Sequence, residues 1–261
     1  MPDDKPQVPA APAAGKEHKN DMYGNIDARS EDDAGVLPPI PAATVLLLRD
    51  GGDGIEVLML KKNSKITFGG MWVFPGGKID QEDGLGQGDD TAAAKRAAVR
   101  EAEEEASLVL DAEDFVYFSH WTPPPGPSKR FSTWFFVANA NDANHDVEID
   151  QGEIKDHNWI VPSHALTRHA DGEIDIVPPT WVTLYHLSQH ESVAGFLTHV
   201  ADREVVAYST RVAKAESGVR VAMWAGDAGY DAWDADLAGP RHRLLMSQDG
   251  FQFENDVLSY R

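Results

Sequence analysis

Four glutamates fall within Arg100-Glu101-Ala102-Glu103-Glu104-Glu105-Ala106-Ser107-Leu108, and their spacing decides what chemistry they can do. The residues leading in are mostly Ala, Arg, Lys and Glu, strong helix formers, so a helix is expected from about Thr91 to Ser107. On a helix, positions three and four apart share a face. Glu101, Glu104 and Glu105 therefore project together, while Val99, Ala102 and Ala106 fall roughly opposite and can face a core. Three like charges on one face cost a bare helix several tenths of a kcal/mol. Hard divalent cations such as Mg2+ seek such clusters of carboxylate oxygens. The plainer alternative is a solvated acidic face.

The residues upstream weigh against that alternative. Met71-Trp72-Val73-Phe74 is a short apolar strand that runs into Pro75-Gly76-Gly77-Lys78-Ile79-Asp80. Paired glycines let a backbone carbonyl approach a metal or phosphate closely. A strand end, a glycine loop and a carboxylate helix in this order resemble the box of the Nudix hydrolases, G-x5-E-x7-R-E-U-x-E-E-x-G-U, where U is aliphatic. Gly77 takes the first glycine, Arg100-Glu101 the R-E pair, Glu104-Glu105 the E-E pair and Leu108 the last aliphatic position. The resemblance spans about residues 40 to 180 and includes a Trp159-Ile160-Val161-Pro162 stretch similar to one that follows the box in relatives.

Three departures stand out. The distance from Gly77 to Arg100 is about nine residues longer than the pattern, which places an insertion between Asp80 and Asp90. Ala92 occupies the first Glu position counted back from Arg100, whereas Asp83 sits there counted forward from Gly77, so Asp83 or Asp80 is a substitute. Ser107 replaces the late glycine.

The resemblance implies a metal-dependent cut of a diphosphate linkage in a nucleotide-like small molecule, with Mg2+ or Mn2+ as cofactor. Glu101, Glu104 and Glu105 would be ligands together with the Gly76 carbonyl, and Arg100 would orient a box carboxylate. Glu153, in Gln151-Gly152-Glu153-Ile154, is the candidate for a further ligand or general base; its alternative is a surface loop acid. Lys62, Gly77 and Arg130 are the candidate substrate contacts. Leu60-Lys61-Lys62-Asn63-Ser64 before the glycine approach, and His120-Trp121-Thr122-Pro123 before Arg130-Phe131, resemble the branch that cleaves coenzyme A and acyl-CoA, although Lys62 stands where that branch favours Arg. Two other readings compete: a pyrophosphatase for ADP-ribose or a dinucleotide, and a Nudix-like module that binds a nucleotide without cutting it.

The fold implied is an α/β sandwich around a mixed sheet, with an α+β extension at the C-terminal end. Strands are expected at 43–49, 55–60, 71–74, 131–138 and 158–161, and a helix opens at Pro162. Residues 1–36, rich in Pro, Ala, Asp and Lys, read as a disordered tail. Residues 37–178 form the catalytic domain. Residues 179–261 form the extension, with a helix at about 188–200 and strands at 219–224 and 242–246, and they pack on the main domain. A Gly84-Leu85-Gly86-Gln87-Gly88 run follows no strand and is flanked by acids, so it reads as a loop. His186 and His190 have helix spacing for a metal but no further ligand beside them.

Composition bounds the partners. The net charge of −20 repels nucleic acid and anionic membrane surfaces, so a phosphorylated ligand needs cations to reverse the local field. The absence of cysteine excludes disulfides and thiolate metal sites, which fits a cytoplasmic setting. No apolar run reaches the length of a membrane span. The sequence carries no signal for oligomeric state.

Overall fold

The computed structural model describes residues 37–65, 68–125, 129–141, 147–247 and 250–258. The tail assigned to 1–36 lies outside them. The first two strands, β1 (Ile40–Gly51) and β2 (Gly54–Lys62), form a hairpin closed by Gly51↔Gly54 pairing. The apolar run of β1 is buried on both faces because strand side chains alternate. Ala43, Val45 and Leu47 enter one core, and Leu46 and Leu48 enter another.

β3 (Trp72–Val73) and β4 (Gly76–Lys78) lead to α1 (Asp90–Ala106). Asp89 caps α1 by accepting from the N–H groups of Thr91 and Ala92. β5 (Val116–Thr122), β6 (Phe131–Asn139), β7 (Ile154–Ile160) and α2 (Pro162–Ala170) follow. The remainder is α3 (Pro178–Leu187), α4 (Val193–Ala201), β8 (Val206–Ser209), β9 (Arg211–Lys214), β10 (Arg220–Met223), β11 (His242–Ser247) and β12 (Gly250–Asn255).

The main sheet runs β3-β2-β1-β6-β5-β8, with β4 also on β1 and β7 also on β2. It is mixed: β1 lies parallel to β6 and β5 parallel to β8, while the other pairs are antiparallel. Helix α1 covers one face through Ala93, Ala94, Ala97, Ala98, Ala102 and Ala106, which are small enough to bring it close to β1. Residues of α2, α3 and α4 fill the core on the other face. This is the α/β class expected from the sequence.

The helix expected at 188–200 begins later, at Val193, where Ser192 accepts from Gly195 N–H as cap. A separate helix, α3, precedes it. Its start at Pro178-Pro179 suits the first turn, where proline loses no intrahelical bond. Strands β5, β8 and β9 were not anticipated. β8 joins the edge of the main sheet, and after Thr210 the chain enters a second sheet of order β12-β11-β10-β9. The ring of Tyr208 stacks on Trp121 of β5 at 3.8 Å and 2°. Val212, Ala222, Trp224, Leu244 and Phe253 belong to the same core as Leu46 and Phe118, so residues 206–255 share a core with the main sheet.

Candidate active site

The end of β2, the β3–β4 segment, one face of α1 and the start of β6 surround a cleft of about 810 Å3. Gly76, Gly77, Arg100, Glu101, Glu104, Glu105, Glu153, Lys62 and Arg130 all line it. The structure thus gathers every candidate ligand, general base and substrate contact at one place, while His186 and His190 lie elsewhere.

The two glycines do different work. Gly76 has φ +152°, and a Cβ there would lie 2.3 Å from Ala43 O, so only glycine permits its pairing with β1. A Cβ on Gly77 would meet the Glu101 carboxyl carbon at 2.3 Å. The glycine thus leaves room for that acid.

Arg100 organises the acids. Its Nη1 donates to Glu101 Oε1 at 2.9 Å and to Glu104 Oε2 at 3.1 Å. Its Nη2 donates to Asp83 Oδ2 at 3.1 Å and to Lys78 O at 3.0 Å. Burial works against its charge, but the bonds with Asp83 and Glu101 outweigh it and hold the guanidinium above its ordinary range. Asp83 is buried, and its carboxylate also accepts from Asp80 N–H. Of the two acids proposed for the first Glu position, Asp83 is the one held against Arg100; Asp80 approaches it only to 3.6 Å and is exposed.

Glu105 is only 4% exposed. It accepts from Lys62 Nζ and, at 3.0 Å, from Gly76 N–H. Burial pushes the Glu105 carboxyl above the usual carboxylate range, against the pull of Lys62. Burial raises Glu101 as well, against its bond from Arg100. Glu104 is largely exposed to the cleft.

Glu153 reaches Lys62 at 3.7 Å. It stands on a loop that docks on the end of α1. Glu148 N–H donates to Ala106 O, Asp150 N–H donates to Glu105 O, and Ser107 Oγ donates to Glu148 O. The first two satisfy carbonyls that a helix end leaves without partners, and the third holds the loop to the helix cap. Asp150, which sequence reasoning missed, also lines the cleft. Its carboxylate accepts from the N–H groups of Glu153 and Ile154 at 2.8 Å each. Burial opposes its charge, yet these donors prevail and hold it below the usual range. The signal in the sequence was an Asp three residues before Glu153, the spacing of a local side-chain turn.

Arg130 lines the cleft with its guanidinium turned to backbone. Nε and Nη2 donate to Leu37 O, and Nη1 donates to Pro123 O. His120 bridges Tyr117 OH and Ser132 Oγ. His186 is buried against Tyr208 OH rather than turned to a ligand.

A divalent cation suits this donor set. The carboxylates of Glu101, Glu104 and Glu105 line the cleft from one helix face, Glu105 nearly sealed from water, and hard cations favour such oxygens. In this structure Arg100 and Lys62 act as their counterions, and among the described residues no three acidic or imidazole side chains converge on a single point.

The sequence model of the NUDIX domain matches residues 38–179. The chain belongs to the Nudix family. It is accordingly a Nudix hydrolase. Among solved structures, a NUDIX hydrolase from Alicyclobacillus acidocaldarius is similar over 60% of this chain and 94% of its own, at 24% identity and a TM-score of 0.53. An Ap4A hydrolase from C. elegans matches 56% of this chain and 93% of its own, at 20% identity and a TM-score of 0.40. The NUDIX domain of Shewanella oneidensis NrtR, solved with ADP ribose, matches 55% and 90% at 16% identity and 0.38. No curated protein matches. Among the described residues no helix is long and apolar enough to cross a membrane.

Proposed function

We propose that this Nudix hydrolase cleaves a diphosphate linkage in a nucleotide derivative, with CoA or an acyl-CoA as the first candidate substrate. The observation that carries the reading is that Glu101, Glu104, Glu105 and Glu153 line one cleft together with Arg100 and Lys62. Glu101, Glu104 and Glu105, with the Gly76 carbonyl, would hold Mg2+ or Mn2+. Such an ion, when bound, supplies neutralisation of phosphate charge and activation of water. Arg100, anchored on Asp83, keeps Glu101 and Glu104 oriented. Lys62 sets a positive charge between Glu105 and Glu153, where a phosphate oxygen can share it. Glu153, 3.7 Å from Lys62, would take a proton from the attacking water as the phosphorus–oxygen bridge breaks.

The apolar lining of the cleft, from Phe68, Met71, Val73, Val177 and Pro179, supports a substrate with a sizeable group beyond the diphosphate. Residues 179–261 supply part of that lining, through Pro179, Thr180 and Thr210, and we assign them to substrate enclosure.

The test is a panel of CoA, acetyl-CoA, 3′-dephospho-CoA and ADP-ribose with Mg2+, with products read by mass. Glu104→Gln and Glu105→Gln should lose turnover by orders of magnitude, and Glu104→Gln should keep the wild-type melting temperature because its side chain is exposed. Wild-type turnover in both variants would remove the metal assignment. ADP-ribose cut faster than CoA would remove the CoA reading alone.

A further inference from the structure

Lysine is seldom enclosed unless an acid pairs with it, and Lys62 is enclosed: its side chain is only 11% exposed. It ends β2 with its backbone fastened to the segment before β3. Its N–H donates to Met71 O at 2.9 Å, and its carbonyl accepts from Gly70 N–H at 3.0 Å. Lys61, on the other side of the strand, lies 6.0 Å over the Trp72 ring, while Lys62 enters the cleft. There Nζ donates to Glu105 Oε1 and stands 3.7 Å from Glu153 Oε2. The second oxygen of Glu105, Oε2, accepts from Gly76 N–H at 3.0 Å. The two cations of the cleft are therefore held differently. Arg100 is anchored by Nη2 on Asp83 and Lys78 O, outside the candidate ligands. Lys62 is turned wholly onto Glu105 and Glu153.

We propose that Lys62 competes with the divalent cation for Glu105 and so sets how tightly the cleft takes that cation up. The inference rests on the reading of Glu105 as a metal ligand. Both oxygens of Glu105 already face a donor, so a cation joining this carboxylate has to displace one of them. Gly76 N–H is fixed, because Gly76 pairs with Thr44 of β1. The ammonium of Lys62 rides on a flexible four-carbon stem and can swing aside. Two cations on one buried oxygen would also repel each other, with little water to screen them. Nζ is thus the donor that yields, and Glu153 is the acid toward which it turns. Every cation taken up costs one Lys62–Glu105 pair, so Lys62 weakens uptake. The pair has a use of its own: it spares the fold an uncompensated charge at the buried Glu105. Lys62 is then a positioning residue that acts through a ligand, and it regulates the site by opposing its metal.

The test is Mn2+ binding to the metal-free full chain, followed by electron paramagnetic resonance with no substrate present. Lys62→Met keeps the stem and removes the charge. It should bind Mn2+ roughly ten- to a hundredfold tighter than the wild type, the worth of one charge-assisted hydrogen bond. Lys62→Arg should gain nothing, because a guanidinium can hold the same carboxylate. In a Glu105→Gln background Lys62→Met should also bring no such gain, since the contested carboxylate is gone. An equal gain with and without Glu105 would overturn the competition, because it would report only the loss of a positive charge from an acidic protein. Glu104→Gln reports on the metal reading separately. If it weakens Mn2+ binding while Lys62→Met does not strengthen it, the competition is overturned and the metal reading stands. If the wild type, Glu104→Gln and Lys62→Met all bind Mn2+ alike, the metal reading falls and the competition with it. Should Lys62→Met not fold, the wild type decides. Labelling of Lys62 by acetic anhydride, read by peptide mass, should rise as Mn2+ saturates the site, and unchanged labelling would overturn the proposal.

Discussion

Gly76 and Gly77 are adjacent, yet alanine at the two positions should fail in opposite ways. At Gly76 the new Cβ would lie 2.3 Å from Ala43 O and 2.6 Å from Thr44 Cα. Both atoms belong to the backbone of β1, paired on its other sides with β2 and β6, so they cannot move aside. Overpacking of this kind costs about 1–3 kcal/mol, and an unfavourable φ adds about 1–2 kcal/mol. The expected loss is therefore about 2–5 kcal/mol, or roughly 4–20 °C in melting temperature for a chain of this size. At Gly77 the clash is with the carboxyl group of Glu101, the far end of a flexible side chain, at 2.3–2.5 Å. Glu101 can rotate away, so stability should change by no more than about 0.5 kcal/mol. The rotation breaks the 2.9 Å bond from Arg100 and removes Glu101 from the cleft. Activity should then fall about ten- to a hundredfold, the usual effect of disturbing a metal ligand's support. Thermal melts and Mg2+-dependent hydrolysis, measured on both variants, separate the two effects. Adding Glu101→Gln to Gly77→Ala should cost little more, because both changes act on one carboxylate. The reasoning is refuted if Gly77→Ala melts as low as Gly76→Ala, or if it turns over like the wild type.

Three further outcomes are expected. Ser107 ends α1 at φ +56°, so Ser107→Gly should stabilise by up to about 1 kcal/mol net of its lost bond to Glu148 O, and an unchanged or lower melting temperature would show that the bond outweighs the strain. Asp150→Ala releases the Glu153 and Ile154 N–H groups, and kcat should fall with KM nearly unchanged while Asp150→Asn keeps most of the rate; equal loss in both would tie Asp150 to charge rather than to loop geometry. His186, His190, His199 and His242 are held below the ordinary imidazole range, chiefly by burial. The unfolded chain takes up protons below about pH 6.5 while the folded chain resists, so stability is full above that pH and declines below it; His199→Gln should flatten the decline in a series of melts from pH 7.5 to 5.

The fold was legible where one periodicity dominated. The apolar run of β1 and the Ala-rich face of α1 each carry a single pattern, and both elements appear within a few residues of expectation. The C-terminal third was harder for a physical reason. Helix α3 is apolar on nearly all sides, with Trp181, Val182, Leu184 and Leu187 buried alongside Thr180, Thr183 and His186. A helix enclosed by protein shows no amphipathic stripe to read. β8 is four residues long, and its place comes from Tyr208 stacking on Trp121, a contact across 87 positions that no local pattern contains.

The site was legible through its carboxylate spacing, and each departure from the family box finds a compensation in the fold. Before the insertion, a short 3-10 turn at Gln81–Asp83 buries Asp83 and turns its carboxylate onto Arg100. Asp83, the acid found by counting forward from Gly77, is the one the fold sets against Arg100, and the extra residues fall after it and before the cap of α1. Ser107 keeps the left-handed turn that glycine would provide and adds a bond to Glu148 O, which ties the loop of Glu153 to the helix of Glu101, Glu104 and Glu105. Lys62 and Arg130 show the limit of motif reasoning. Both sit in the cleft, but spacing could not tell that Lys62 would face Glu105 and Glu153, or that Arg130 would spend its donors on Leu37 and Pro123. A cation's function depends on which acceptors the fold leaves within reach, and that is settled only when β2, α1 and the 147–153 loop meet.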